Sequence, residues 1–280
     1  MKYLFLCLLF GLTSNKMWAQ IIKDKEPAII EVHYIKTAVA DTLENRSNSD
    51  PMTLRIGRTS AMFYPTKKMW QDSLLRTDFA LHEKLYYELN PPGQSEWKPL
   101  GGIEREYLFR NINDGETMVY RRIAGDGYSY TEPTEMPVWQ ILSETKEVMG
   151  YSCQLASCDF RGRKWYAWFS TDIPINEGPW KLFGLPGLVL EAYDSKKHYV
   201  YTAVGLYTQN LQPVGIKLYV RYEPYKLKSR QEFLQKMYKE EIEGDFAFKM
   251  SALHGNGAQS APSRADYDFQ ERDYQQSKRE

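Results

Sequence analysis

The sequence predicts a mainly β protein of the α+β class, built as a curved, mostly antiparallel sheet or half-barrel with two helices packed on one side. Three observations carry this. Phe, Trp and Tyr make up 14% of the 280 residues, a share that favours strands and cavity walls over helices. Short alternating segments recur between turn-forming pairs such as Asp114-Gly115 and Asp126-Gly127, the punctuation of hairpins. Helical spacing occurs in two segments far apart in the chain, so the order is strands, helix, many strands, helix and tail.

Glu31–Thr37 alternates in the manner of a strand, Asp41–Pro51 is polar and loop-like, and Met52–Gly57 and Ser60–Tyr64 read as short strands. Lys67–Leu89 is the first helix: Trp70, Leu74, Leu81 and Leu85 fall at helical spacings, and Pro91-Pro92-Gly93 ends it. Ile103–Asn111 and Glu116–Ala124 pair around Asp114-Gly115, which fits a hairpin turn better than a calcium loop because the later acidic ligand is missing. Strands follow at Tyr128–Glu132 and Val138–Met149. Gly150–Asp159 and Arg163–Ser170 form a hairpin, Leu188–Tyr193 and Tyr199–Tyr207 form another, and Lys217–Tyr222 is a further strand. The second helix, Arg230–Glu243, opens on a capping box of Ser229 and Glu232 and carries an apolar stripe of Phe233, Met237 and Ile242. No linker divides the chain. The domain therefore runs over residues 20–254, and the polar residues 255–280 read as a flexible tail.

The first nineteen residues differ from the rest. Lys2 is followed by the apolar run Tyr3–Leu12 and by Met17-Trp18-Ala19, the pattern of a secretory signal peptide cut after Ala19. The run is too short to span a bilayer, and no later run approaches that length, so no transmembrane span is expected after cleavage. The expected location is the periplasm or cell envelope, or the extracellular medium. Lysine plus arginine and aspartate plus glutamate each total 36. Such balance, without a basic stripe, gives little drive toward nucleic acid. Cleavage removes Cys7 and leaves Cys153 and Cys158, five apart on one strand and so on opposite faces, which favours two buried thiols over a bridge.

The densest signal is Gly150–Asp194. It holds Gly150-Tyr151 with Cys153, then Gly162-Arg163 with Trp165, Ala167 and Trp168, then Ile173-Pro174, Gly178–Lys181 and Gly184–Leu188. Leu185-Pro186-Gly187-Leu188 reads as a type II turn, with Pro presetting φ and Gly accepting a positive φ. In these motifs the chain resembles the GLPGLI family of exported Bacteroidota proteins. The resemblance is sharp over about 45 residues, with Val189 in place of the family's Ile, Cys158 as an extra cysteine and no Asn-Pro ending. It implies an envelope location and a fold. It carries over neither an activity nor catalytic residues.

Trp165, Trp168, Trp180, Phe183, Leu185 and Pro186 are the candidates for an aromatic-lined ligand or partner site, with Pro186 and Gly187 as its structural turn. The same residues suit an ordinary packed core. No catalytic motif is present: there is no Gly-x-Ser-x-Gly elbow and no phosphate loop, and His82-Glu83 is followed by Tyr86 where a zinc pair needs His. No cofactor and no metal are expected. Three readings stay open. The first is a non-catalytic binding or carrier module for an apolar ligand, a peptide or another extended ligand. The second is an accessory protein that binds an outer-membrane transporter. The third is a hydrolase without a recognisable motif.

Overall fold

The computed structural model describes residues 19–22, 26–41, 46–94, 98–123, 125–215, 217–220, 223–242 and 269–273. In chain order the elements are β1 (Ala19–Ile22), β2 (Ile30–Asp41), β3 (Arg46–Ile56), β4 (Ser60–Pro65), α1 (Thr66–Thr77), α2 (Phe79–Leu89), β5 (Tyr107–Asn111), β6 (Glu116–Ile123) and β7 (Asp126–Pro133). Then come β8 (Gln140–Val148), β9 (Tyr151–Phe160), β10 (Arg163–Ser170), β11 (Leu188–Asp194), β12 (Tyr199–Tyr207), β13 (Lys217–Val220), β14 (Tyr225–Lys226) and α3 (Arg230–Ile242). Twelve strands form one sheet in the order β14-β7-β6-β5-β4-β3-β2-β12-β11-β10-β9-β8, while β1 and β13 pair separately. Every pairing is antiparallel except β14 with β7.

The hairpins follow from turn chemistry. Val148 pairs with Tyr151 across Met149-Gly150, and Phe160 pairs with Arg163 across Arg161-Gly162. Both residues of each loop have positive φ, the type I′ geometry whose twist matches that of the strands. Gly115 also sits at positive φ, as the Asp114-Gly115 turn requires.

The sheet curls strongly. Arg161, at the β9–β10 turn, lies 3.1 Å from Glu132 on β7. In the strand order β7 and β10 are eight places apart, which a flat sheet would make about 38 Å. Strand alternation then sorts side chains into two cores. From β4, β5 and β6 the residues Phe63, Leu108 and Val119 join Tyr34, Trp165, Trp180 and Tyr201 on the concave side. Their neighbours Met62, Tyr64, Tyr107, Phe109 and Tyr120 pack with Val214 on the convex side. These three strands are buried on both faces, which explains their nearly continuous apolar character.

The mainly β, mostly antiparallel class is as expected, but the helices differ from expectation. The segment read as one helix over Lys67–Leu89 is two, because Asp78 leaves the helical region at φ −152° and ψ 77°. Its carboxylate instead caps α2 by accepting from the Leu81 N–H at 3.0 Å. Nor do the helices share one side. Helix α1 packs on the convex face, where Asp72 accepts from the Tyr107 hydroxyl at 2.7 Å. Helix α3 inserts Phe233, Leu234 and Met237 into the concave core. Part of the segment read as loop, Asp41–Pro51, is strand β3, whose polar N-terminal half pairs with β2 at a weakly buried end. There the ladder holds the strand without an apolar pattern. The leader expected over residues 1–19 lies outside the described residues apart from Ala19. Of the tail 255–280, only Phe269–Asp273 are described. Among the described residues no helix is long and apolar enough to cross a membrane.

The Pro186-Gly187 turn is also built differently. Gly187 does not adopt positive φ, whereas Gly184 does, at 92°. What excludes a side chain at Gly187 is space, because a Cβ there would overlap the Ser170 carbonyl oxygen. Gly187→Ala should therefore destabilise the fold by about 1–3 kcal/mol, the range for overpacking a filled interior, measurable by urea unfolding. Cys153 and Cys158 are free and buried. Burial pushes the Cys158 thiol up to about 12 and raises that of Cys153. Both thiols should resist a thiol-specific reagent at pH 8 in the folded chain. Both should react once it is unfolded, with or without reductant, as peptide mapping would record.

Candidate functional site

The concave face carries a buried charge network rather than an open apolar lip. The Gly178–Leu182 stretch sets it up. Leu182 N–H bonds back to the Pro179 carbonyl at 3.1 Å, and a Cβ at Gly178 would collide with the Leu182 carbonyl oxygen. This tight turn holds Trp180 at φ 56°, a region that bulky residues rarely occupy. The result drives both Trp180 and Lys181 inward. Trp180 packs against Trp165 with ring centroids 5.5 Å apart and edge-on to Phe160 at 6.0 Å. Lys181 Nζ reaches Glu132 of β7 and Glu271 near the C-terminus, each at 2.7 Å.

A five-residue strap, Phe269–Asp273, completes the network. Arg163 opens β10 and is buried. Its Nη1 pairs with Asp194 at 3.0 Å, and its Nε donates to the carbonyls of Phe269 at 3.2 Å and Gln270 at 3.0 Å. Gln270 exchanges hydrogen bonds with the Tyr201 hydroxyl at 2.8 and 3.1 Å. Arg230, at the start of α3, contacts Glu271 at 2.6 Å and forms a two-pronged pair with Asp273 at 2.8 and 2.7 Å. The Arg272 N–H donates to the Arg161 carbonyl at 3.0 Å. Gly162 makes this approach feasible, since a Cβ there would lie 2.8 Å from the Asp273 nitrogen.

At Lys181, Arg230, Glu271 and Asp273 burial works against the charge, yet the partners outweigh it, whereas at Arg163 burial prevails over Asp194 and lowers the pKa. Burial opposes the Lys181 ammonium, but Glu271, Glu132 and Glu106 raise its pKa. Burial likewise opposes the Glu271 and Asp273 carboxylates. Lys181 and Arg230 hold Glu271 below its ordinary range, and Arg230 does the same for Asp273.

Beside the strap lies a cavity of about 100 Å³. Its walls include Lys36, Glu104, Glu106, Arg121, Trp180 and Phe269. Two of its carboxyl groups, Glu104 and Glu106, are shifted in opposite directions. Burial opposes the Glu104 charge, but Lys36 and Arg121 bring it down to about 2. Glu106 is raised, mainly by burial and further by Glu104 and Glu271, against the pull of Arg121 and Lys181. Among the described residues, no group of three or more His, Cys, Asp or Glu side chains is placed to hold a metal ion.

The six candidate residues do not gather at one lip. Trp165, Trp168, Trp180 and Leu185 are inside the concave core. Trp168 lies under Lys146, whose Nζ is 4.6 Å from the ring centre. Phe183 packs on the Arg110 guanidinium at 3.7 Å, and Arg110 is itself paired with buried Glu177. Pro186 is exposed. Sequence reasoning missed Arg161, Arg163, Lys181, Arg230 and the strap. Arg163 and Lys181 stand inside the motifs already singled out. The strap carries no comparable signal, because Phe-Gln-Glu-Arg-Asp has the composition of any polar tail.

Residues 161–191 match the model of a family described as a protein of unknown function (Porph_ging). No curated protein matches the chain. Two crystal forms of PNGF-II are matched at 13% identity with a TM-score of 0.48, over 76% and 77% of this chain and 33% and 34% of theirs. The chain thus spans about a third of the length of those proteins.

Glu106 supplies a pH test. Its folded pKa lies above the ordinary 4.5, so the folded state holds this proton more tightly than the unfolded state. Stability is therefore lost as pH rises from 4.5 through the raised value. Glu106→Gln should raise the melting midpoint at pH 8, because the substitution removes a carboxylate whose ionisation the folded state disfavours. The gain should disappear in melts recorded at pH 4.

Proposed function

We propose that this chain is an exported cell-envelope protein that acts as a non-catalytic binding module, and that the concave face takes an extended ligand. One observation carries the reading: the face already holds a short irregular segment, Phe269–Asp273, through its carbonyls and side chains. Arg163 donates to two successive carbonyls, and Lys181 and Arg230 neutralise side-chain carboxylates. Donors that address backbone carbonyls give affinity, and the charges give selectivity. The export pattern in residues 1–19 and the resemblance to the GLPGLI family support the location. The small size of the cavity favours an extended ligand over a bulky apolar one.

A second reading, an accessory that docks on an outer-membrane transporter, draws on a different surface. Among the described residues, strand β8 ends the sheet and leaves one edge open. Beside it Met136, Val138 and Ile141 are exposed, Val138 at 88%. Edges and apolar patches of this kind recruit partner strands.

Incubation with short linear peptides and oligosaccharides should slow amide exchange across Trp180–Leu182 and along β10. Native mass spectrometry should find an added mass that leaves on unfolding. A chain that shows neither added mass nor protection on the concave face, across both ligand sets, would remove the first reading.

A further inference from the structure

We propose that Phe269–Asp273 is an internal stand-in for a partner's polypeptide, and that the concave site selects segments with an aromatic residue followed at two and four positions by carboxylates. This rests on the binding-module reading above and adds the ligand's chemistry to it.

The strap is held as ligands are held. It lies against the sheet without joining it as a strand: its described backbone bond to the body runs from Arg272 N–H to the Arg161 carbonyl. Its other attachments are side-chain donors on carbonyls and carboxylates, plus one ring. Phe269 is buried and lies 6.1 Å from the Tyr238 ring of α3. Two positions on, Glu271 meets Lys181 and Arg230. Two further on, Asp273 meets Arg230. The spacing of aromatic and acidic groups is thus read by fixed residues of the body.

Charge balance gives the sign of the ligand. Arg161, Lys181 and Arg230 face Glu132, Glu135, Glu271 and Asp273. The last two belong to the strap. Without them the three cations face Glu132 and Glu135, with Glu106 also acting on Lys181, and because the strap carries Arg272 as well, its departure removes one net negative charge. The vacated site is more positive than the occupied one by that one charge, which favours a chain that presents carboxylates to Lys181 and Arg230.

The fit of the strap is also incomplete. Among the described residues, Phe269, Gln270 and Glu271 line the cavity of about 100 Å³ together with Lys36, Glu104 and Glu106. An integral piece of core would be packed to the density of its surroundings. A stand-in need only satisfy the charges, and a longer or bulkier partner side chain can enter the remaining space.

The test uses the full chain with a protease site inserted after Gly257. After cleavage the C-terminal piece stays only by its contacts and can exchange. A labelled peptide of residues 265–277 should bind the cut chain, followed by fluorescence anisotropy. The same peptide carrying Glu271→Lys and Asp273→Lys should bind at least about 10-fold more weakly, as should Phe269→Ala. The uncut chain should also bind the original peptide at least about 10-fold more weakly, because a tethered segment competes at a millimolar effective concentration. An uncut chain carrying Glu271→Gln and Asp273→Asn should recover binding in trans. Equal binding of the charge-reversed peptide, or a cut chain that loses its cooperative melt when the piece leaves, would overturn the proposal. A cut chain that ignores every peptide but binds a neutral hexasaccharide would overturn it while leaving the extended-ligand reading intact. Binding of neither would end both.

Discussion

Lys181 and Arg161 come from one side of the sheet and meet Glu132 from the other. The concave architecture depends on this junction. Strand pairing fixes neighbours only, and among the described residues no ladder closes the twelve strands. The Glu132 carboxylate is where the two ends of the curl are joined. Around it the apolar contacts follow: Trp180 on Trp165, Tyr130 on Phe233, Phe63 on Tyr201. Buried ion pairs add little net stability, because desolvation cancels most of the attraction. Their role here is geometric. They specify which strands face each other across the core, and the aromatic residues supply the favourable free energy of burial.

The local backbone serves that junction. Glycine is needed at Gly178 and Gly187 because side chains there would strike carbonyl oxygens, and at Gly162 because the strap passes overhead. Trp180 accepts a strained φ so that two consecutive side chains enter the core. A signature dense in Gly, Pro and Trp thus has a folding explanation for most of its letters, while Arg163 and Lys181 have a recognition explanation as well. The residues most conspicuous by type, Trp165, Trp168 and Trp180, are buried in the core. The residues that contact the strap are the ordinary-looking cations beside them.

This division explains what could be read in the sequence. Strand positions such as Arg163–Ser170 and Tyr199–Tyr207 were legible because turn chemistry and alternation are local properties of the chain. The break at Asp78 was not, because the apolar spacing continues through it and only the capping bond to Leu81 N–H reveals it. Strand β3 was missed at its polar end because partner pairing, not burial, holds it. The charge network was invisible for a stronger reason. Glu132, Lys181, Arg230 and Glu271 are scattered over about half the chain, and only the curl of the sheet brings them together. The Gly187 reading failed more narrowly: a glycine required for space and one required for positive φ look alike in a sequence.

The chemistry of the strap follows from the same energetics. Had an apolar segment covered the concave face, its burial would be favourable enough to make it permanent, at about 25 cal/mol for each Å² removed from water. In a segment fixed through Arg163, Lys181 and Arg230 the ion pairs add little net free energy, because each must first be desolvated, and the apolar burial is confined to Phe269. The segment is nonetheless specific, because every unmatched cation left behind would be costly. Such a segment cannot simply leave. It can be replaced, at small net cost, by another that presents the same carbonyls and carboxylates. Low net stability with high selectivity is what distinguishes a replaceable occupant from a structural one, and it arises here because cations, rather than leucines, line the floor beneath Glu271 and Asp273.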